Sequence, residues 1–399
     1  VTDKFDFSSL IADRVPAGAA RGAGVRPKYD FGVGFPDPDS FPWQGLHEAL
    51  GRALAEKGRE LVLYPDPQGH PEMREFVAQK LLRERDMKVL PEQVLMTGGS
   101  GPAIALFVQL LTNPGDVLLT EDFTYRGTLD IMTNLRARVV GVQTDSVGLV
   151  PEALEETIKD LARFKTKPKM IYTIPTFQNP IGTDMTTVRR QAVLAVAQKY
   201  GVPIYEDDAY EDLRFTGERK PAIYSYDDSG SVLYSATFSK ILGPAMRVGF
   251  LVAPMEVMPR VNAMYWGRPT SEFAILAALY YLRDHLDDHV DEISDILETR
   301  RDAMIDAIRE DMGATVTTSR PEGGLYLWVC LPEGADVVPA LDAARKEGVS
   351  VLPGSSFSPS GQGRNYMRLC FGYETPEKIR EGVDILTHAL IENGALSKN

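Results

Sequence analysis

Between Ser231 and Ala253 the chain reads SVLYSATFSKILGPAMRVGFLVA. Two apolar runs, Val232–Ala236 and Val248–Ala253, enclose a polar loop that carries Lys240. A lysine set between buried strands serves as an imine-forming nucleophile when its surroundings lower its pKa. A lysine on a solvated loop has no such role, and the segment alone leaves both readings open. Thr237 and Ser239 flank Lys240 and share one face of an extended chain. Arg247 follows in the same loop. Two hydroxyls and a guanidinium suit phosphate, whose oxygens an arginine fork matches in pairs. A lysine beside a phosphate site is what pyridoxal phosphate requires.

Other positions carry chemistry of the same kind. TGGSGPAIALF places Gly98, Gly99, Ser100 and Gly101 between a strand and the start of a helix. Backbone N–H groups there, with a helix dipole behind them, favour an anion. The loop is neither GxxxxGK[ST] nor GxGxxG, and a plain tight turn is the alternative. In IYEDDAYEDL, Asp207 stands near a strand end, with Tyr210 three residues on. A carboxylate beneath a pyridine nitrogen keeps that nitrogen protonated. The Tyr210 hydroxyl and the Asn179 amide have the donors to hold a ring oxygen. The acids Glu206–Asp208 also fit a metal site or a solvated strand end. Tyr125 follows the strand LLTEDF and suits either stacking on a ring or the core. Arg368 lies inside the apolar run NYMRLCFG. A buried arginine needs an anionic partner, which an amino-acid carboxylate or an internal salt bridge supplies. His285 and His289 have the i,i+4 spacing a metal uses, but they sit among acids, so a solvated helix face and no metal are expected.

The elements that position these residues alternate. From Gln93 onward strands VLMT, DVLLTE, ARVVGVQT, KMIYTIP and VPIYED are separated by helical patterns such as PEALEETIKDLARF and VRRQAVLAVAQKY. Alternation of this kind predicts an α/β fold, a mostly parallel sheet with helices on both faces. Ligands then lie beyond the carboxyl ends of the strands, where Ser100, Tyr125, Asn179, Asp207 and Lys240 fall. Upstream, a Gly- and Pro-rich arm holds one short strand at Tyr29–Val33, and helices are expected over Leu46–Lys57 and from Pro71. Leu286–Met312 reads as one long charged helix. Beyond it, short strands and helices, closing with Thr375–Glu392, predict a small α+β lobe against which the arm folds back.

At 399 residues, with 44% apolar and 25% charged residues, the chain reads as a soluble globular protein with one large core and a smaller lobe. A net charge of −13 argues against a nucleic-acid partner, which needs a basic face. Cys330 and Cys370 lie in apolar runs and read as small buried hydrophobes in a reducing compartment. VTDKFDFSSLIADR lacks the basic head and apolar core of a leader, and AILAALYYL is too short to span a bilayer, so a cytoplasmic protein without a membrane partner is expected.

Taken in order, FGVGFPDPDSFP, YPDPQGHPEMRE, TGGSGPA, EDFTY, PTFQNPIG, EDDAYEDL, TFSKILGPAMRVGF, PEGGLYLWVCLPEG, VLPGSSF and NYMRLCFG resemble the fold-type I pyridoxal-phosphate aminotransferases of class I/II across nearly the whole chain. The nearest branch holds 2-aminoadipate and kynurenine aminotransferases and MocR-type regulators. The resemblance implies a large cofactor-binding domain at 46–285, a small α+β domain at 286–399, and an arm at 1–45 that completes the small domain. It makes Lys240 the Schiff-base lysine and Asp207 the pyridinium partner. Asn179 and Tyr210 would hold the ring oxygen, and Tyr125 would stack. Ser100, Gly101, Thr237, Ser239 and Arg247 would bind phosphate. Tyr64 would reach that phosphate from a second subunit of a homodimer with shared active sites. Arg368 would bind the substrate carboxylate, with Gly34 and Asn179 on the substrate side. Three segments depart from the family pattern: Asn179-Pro-Ile-Gly, Gly101-Pro102 and GRPTSEF around Arg268.

The activity implied is transfer of an amino group between an L-amino acid and a 2-oxo acid by a ping-pong route. A β-lyase, racemase or decarboxylase would use the same electron sink. A MocR-like sensor domain is a third reading, set against by the acidic charge and the lack of a basic helix pair. For the substrate side chain, Arg14, Arg21 and Arg26 suit a dicarboxylate, whereas Phe31, Phe35, Tyr64 and Trp266 suit an aromatic ring.

Overall fold

The computed structural model describes residues 5–8, 10–11, 15 and 26–397. Strand β1 (Tyr29–Asp30) closes the irregular arm, and helices α1 (Trp43–Lys57) and α2 (Pro71–Arg85) follow. Pro71 stands in the first turn of α2, where its missing N–H has no helical partner to lose. Alternation then begins with β2 (Val94–Thr97), α3 (Ser100–Leu111), β3 (Val117–Glu121), α4 (Arg126–Asn134) and β4 (Arg138–Val142). A small hairpin, β5 (Thr144–Asp145) and β6 (Gly148–Leu149), leads to α5 (Pro151–Arg163) and β7 (Met170–Thr173). Helix α6 (Thr187–Tyr200) and strands β8 (Ile204–Asp207), β9 (Val232–Thr237) and β10 (Gly249–Val252) complete this half.

These strands form one seven-stranded sheet in the order β2-β10-β9-β8-β7-β3-β4. The sheet is parallel from β9 to β4, as the alternation predicts, while β10 runs antiparallel to both its neighbours. The reversal follows from chain length. The segment from β9 to β10 holds only two short 3-10 turns, and a parallel return needs a full crossover. Helices cover both faces. Val117 and Leu119 of β3 pack in a core with Leu154 and Ile158 of α5 and Val193 and Leu194 of α6. Leu118 between them joins the opposite core with Ile104 and Phe107 of α3. Successive side chains of one strand thus feed two cores.

Helix α7 (Met258–Tyr265) precedes α8, which runs unbroken from Glu272 to Met312. The sequence pattern placed only Leu286–Met312 in this helix. Its first half, which includes AILAALYYL, is buried on almost every side, so it lacks the amphipathic period that marks a surface helix. Beyond it come β11 (Thr317–Thr318), β12 (Tyr326–Cys330), α9 (Val338–Lys346), β13 (Val349–Ser350), β14 (Leu352–Pro353), β15 (Tyr366–Cys370) and α10 (Pro376–Glu392). Strands β11-β12-β15-β14 make an antiparallel sheet, and α10 packs on α8 and α9. The arm folds back on this lobe: β1 pairs in parallel with β13, and the Cys370 amide donates to the Phe31 carbonyl. Tyr326 pairs with Cys370 and Cys330 with Tyr366, so the two cysteines sit at opposite ends of a strand pair and form no disulfide. Among the described residues no helix is long and apolar enough to cross a membrane.

Candidate active site

Beyond the carboxyl ends of β7, β8 and β9 lies a cleft of about 480 Å³. Lys240, Asp207, Tyr210, Tyr125, Ser100, Gly34 and Arg368 all line it. Lys240 ends a 3-10 turn that begins directly after β9, where the Thr237 hydroxyl accepts from the Ser239 amide. Its Nζ donates to the Gly34 carbonyl at 2.9 Å and lies 5.7 Å from the centre of the Tyr210 ring. Burial brings its pKa down to about 8; Arg368 and Arg247 push the same way, and Cys370 and Asp207 oppose them. Lys240 is therefore not a solvated loop lysine.

Asp207 closes β8 and is buried. Its Oδ2 accepts from the Tyr172 hydroxyl, while its Oδ1 is buried with no hydrogen-bond partner. Burial lifts its pKa to about 7. Asn179 is bonded on both sides: Nδ2 donates to the Tyr210 hydroxyl at 3.0 Å, and Oδ1 accepts from Arg368 Nη1 at 2.9 Å. Arg368 also donates to the Gly32 carbonyl and packs 4.2 Å from the centre of the Tyr326 ring. Its Nε has no partner, and among the described residues no carboxylate pairs with it, so the internal salt bridge is absent.

Sheet order explains the anion end. Gly249 of β10 stands opposite Thr97 of β2 on one side and Thr237 of β9 on the other, which brings the loops after β2 and β9 together. Arg247 donates to the Gly98 carbonyl, and a Cβ on Gly99 would sit 2.8 Å from its guanidinium. Gly99 also holds φ +93°, a region that favours glycine. Ser100 opens α3, whose first N–H groups lack helical partners. Gly101 follows with open space where a Cβ would project. The Thr237 and Ser239 hydroxyls lie 2.8 Å apart. Tyr125 immediately precedes α4 and packs over Gly127, and a Cβ on Gly34 would strike the Tyr326 hydroxyl.

The model of the family "Aminotransferase class I and II" matches residues 26–386. The chain belongs to this family. It is similar to aromatic-amino-acid aminotransferase 1 of Thermococcus litoralis, with 33% identity over 90% of this chain and 87% of that one. Its fold matches a multiple substrate aminotransferase from Thermococcus profundus with a TM-score of 0.91 at 30% identity, over 98% and 99% of the two chains. A second match is LysN, an alpha-aminoadipate aminotransferase from Thermus thermophilus complexed with N-(5'-phosphopyridoxyl)-L-leucine; the TM-score is 0.85 at 30% identity, over 92% of each chain. The protein is a pyridoxal-phosphate-dependent aminotransferase of fold type I. Its cleft fits that cofactor: Asp207 Oδ1 is a buried acceptor without a donor, and the Gly99 backbone leaves a hollow beside Arg247 that a Cβ would fill.

Several expected positions fall elsewhere in this aminotransferase. Tyr64 is fully exposed in a second cleft of about 440 Å³ and meets none of the other site residues within one chain. Phe31 is buried against Gly382, and Trp266 is exposed outside the cleft; Phe35 alone of the proposed aromatic wall lines it. Arg26 stacks 3.4 Å from the Tyr373 ring centre, while Arg14 and Arg21 lie outside the described residues. His289 is not solvated: its Nε2 donates to the Ile241 carbonyl at 2.8 Å, although His285 is exposed. Glu206 and Asp208 are neither a metal site nor a solvated strand end. Glu206 accepts from the Ile223 and Tyr224 amides and lies 3.7 Å from Arg190, and Asp208 pairs with Arg85 at 2.8 Å. Sequence reasoning passed over Tyr172 and Tyr326, which read as strand aromatics. Register supplies what one strand alone does not show: Tyr172 pairs with Tyr205, two residues before Asp207 on the same face.

Proposed function

We propose that the enzyme carries out both half-reactions of transamination at Lys240, with one product leaving before the second substrate binds. What carries this reading is a single cleft that holds a lysine of lowered pKa, a carboxylate oxygen without a donor and a buried arginine without a counter-ion. Asp207 would hold the pyridine nitrogen in its protonated form. Asn179 and Tyr210 would hold the ring oxygen and Tyr125 the ring face. Ser100, Gly101, Thr237, Ser239 and Arg247 would take the phosphate. When bound, pyridoxal phosphate supplies the electron sink that makes a substrate Cα proton removable. Lys240 would take that proton as general base and, as general acid, give it back on the cofactor's side of the substrate nitrogen. Arg368 receives the substrate carboxylate, and Asn179 Oδ1 fixes the plane of its guanidinium. Gly34 and Asn179 border the substrate.

The donor is proposed to be aromatic or 2-aminoadipate/glutamate-like. Phe35, Tyr326 and Phe357 on the cleft wall support the first, and Arg126 on its rim the second. We also propose a cytoplasmic homodimer in which Tyr64 reaches the phosphate of the other copy. The lobes are assigned to 46–285 and 286–399 with an arm at 1–45, although α8 runs through the junction.

The test is an absorbance spectrum of the protein loaded with pyridoxal phosphate, then titration with single L-amino acids and no oxo acid. Donors that bleach the yellow colour are the expected outcome and name the substrate class. Persistent colour, or release of pyruvate, would favour a lyase or racemase. Lys240→Ala should abolish turnover, and substantial activity in that variant would sink the assignment.

A further inference from the structure

Glu121 closes β3 and is buried, yet forms no ion pair among the described residues. Its carboxylate is held by four donors: Thr124 Oγ1 at 3.1 Å, Thr173 Oγ1 at 2.6 Å, the Ile174 amide at 2.9 Å and Gln178 Nε2 at 3.0 Å. A buried carboxylate without a cation is costly unless donors saturate it. These donors come from the loop after β3 and from the last residue of β7 with the loop that follows it. Gln178 ties the same loops again. Its Nε2 also donates to the Phe123 carbonyl at 2.7 Å, and its Oε1 accepts from the Ile181 amide at 2.8 Å. The first loop ends at Tyr125. The second carries Asn179, which holds Tyr210 and Arg368 at once. Neither Glu121 nor Gln178 lines the cleft.

We propose that Glu121 and Gln178 are positioning residues that act as one bridge, fixing the loop of Tyr125 against the loop of Asn179. This rests on the reading that Tyr125 and Asn179 serve the cofactor and Arg368 the substrate carboxylate. Glu121→Gln sets an amide donor among groups that need an acceptor. Gln178→Met removes three hydrogen bonds at similar volume. Displaced loops should loosen the cofactor and misplace Arg368, while Lys240 stays in place.

The experiment measures amino-donor KM, kcat and the cofactor dissociation constant by absorbance for the wild type, both single variants and the double variant. A rise of about tenfold or more in KM and in the dissociation constant, with kcat less affected, is expected for each single variant. The double variant should be no worse than the poorer single one, because the two residues form one unit. A folded variant with lower thermal stability but unchanged KM and cofactor affinity would overturn the bridge. So would simple additivity. Should Glu121→Gln not fold, Gln178→Met decides alone. A wild type without transamination would fail the reading of the site, while cofactor affinity would still report on the bridge.

Discussion

Lys240 makes the stability of the folded protein depend on pH in a direction that can be worked out. Burial lowers its pKa from 10.5 to about 8. Between those values the unfolded chain binds more protons than the folded one, so this residue makes stability rise with pH across that window. Below about pH 8 the full penalty of holding a charged lysine in the cleft is present. In cofactor-free protein, Lys240→Met should therefore raise the thermal midpoint at pH 7, and the gain should vanish above pH 10.5. A midpoint gain that is constant with pH would show that the lysine is not the source. At this scale the sequence singled out charges set within or directly beside apolar runs, as with Asp207, Lys240 and Arg368, and the structure brings these three to one cleft. It was opaque where a residue takes its meaning from a neighbour across the sheet. Tyr172, Tyr326, Glu121 and Gln178 fit their strands and loops without comment until the partners are in place.

Elements show a second kind of concealment. Lys80 on α2 donates to Glu84, Glu211 and Asp212 together, all from within the protein. The three carboxylates alone resemble a cation site, and the lysine fills it. Burial and the neighbouring Glu211 lift Asp212 to about pKa 7, against the pull of Lys80. Removing one partner from such a buried set leaves uncompensated charge, so Lys80→Met should cost about 3–5 kcal/mol, read as a lower denaturant midpoint. A loss below about 1 kcal/mol, the value of a surface pair, would show that solvent reaches the cluster. Local pattern announced α2, α5, α6 and α10, each of which has a Pro or Thr at its start. It missed the first half of α8, which is apolar nearly all round, and the reversal of β10, which is set by the length of a connection.

On the scale of the whole molecule, the surface near the second cleft is unusually apolar for a chain of net charge −13. Val62, Leu63 and Tyr64 are 86%, 70% and 100% exposed in succession, and Phe273 across the cleft is 53% exposed. A second copy of the chain is the proposed cover. Light scattering should give twice the chain mass, and Leu63→Arg should shift it toward the monomer while weakening cofactor binding, because Tyr64 would no longer reach the other site. A wild-type monomer with full activity would remove the dimer and the role of Tyr64 together. Periodicity along one chain does not mark such a patch, because these side chains stay exposed within it. The pairing of β1 with β13 has a different consequence, one of timing. The carbonyls of Gly32 and Gly34 that hold Arg368 and Lys240 belong to a stretch made before the central sheet, whereas the strand that docks it is made after that sheet. On the ribosome the central sheet can gather while this stretch still waits undocked. The reactive cleft is thus one of the last parts of the molecule to close, and a nascent chain has its scaffold before its chemistry.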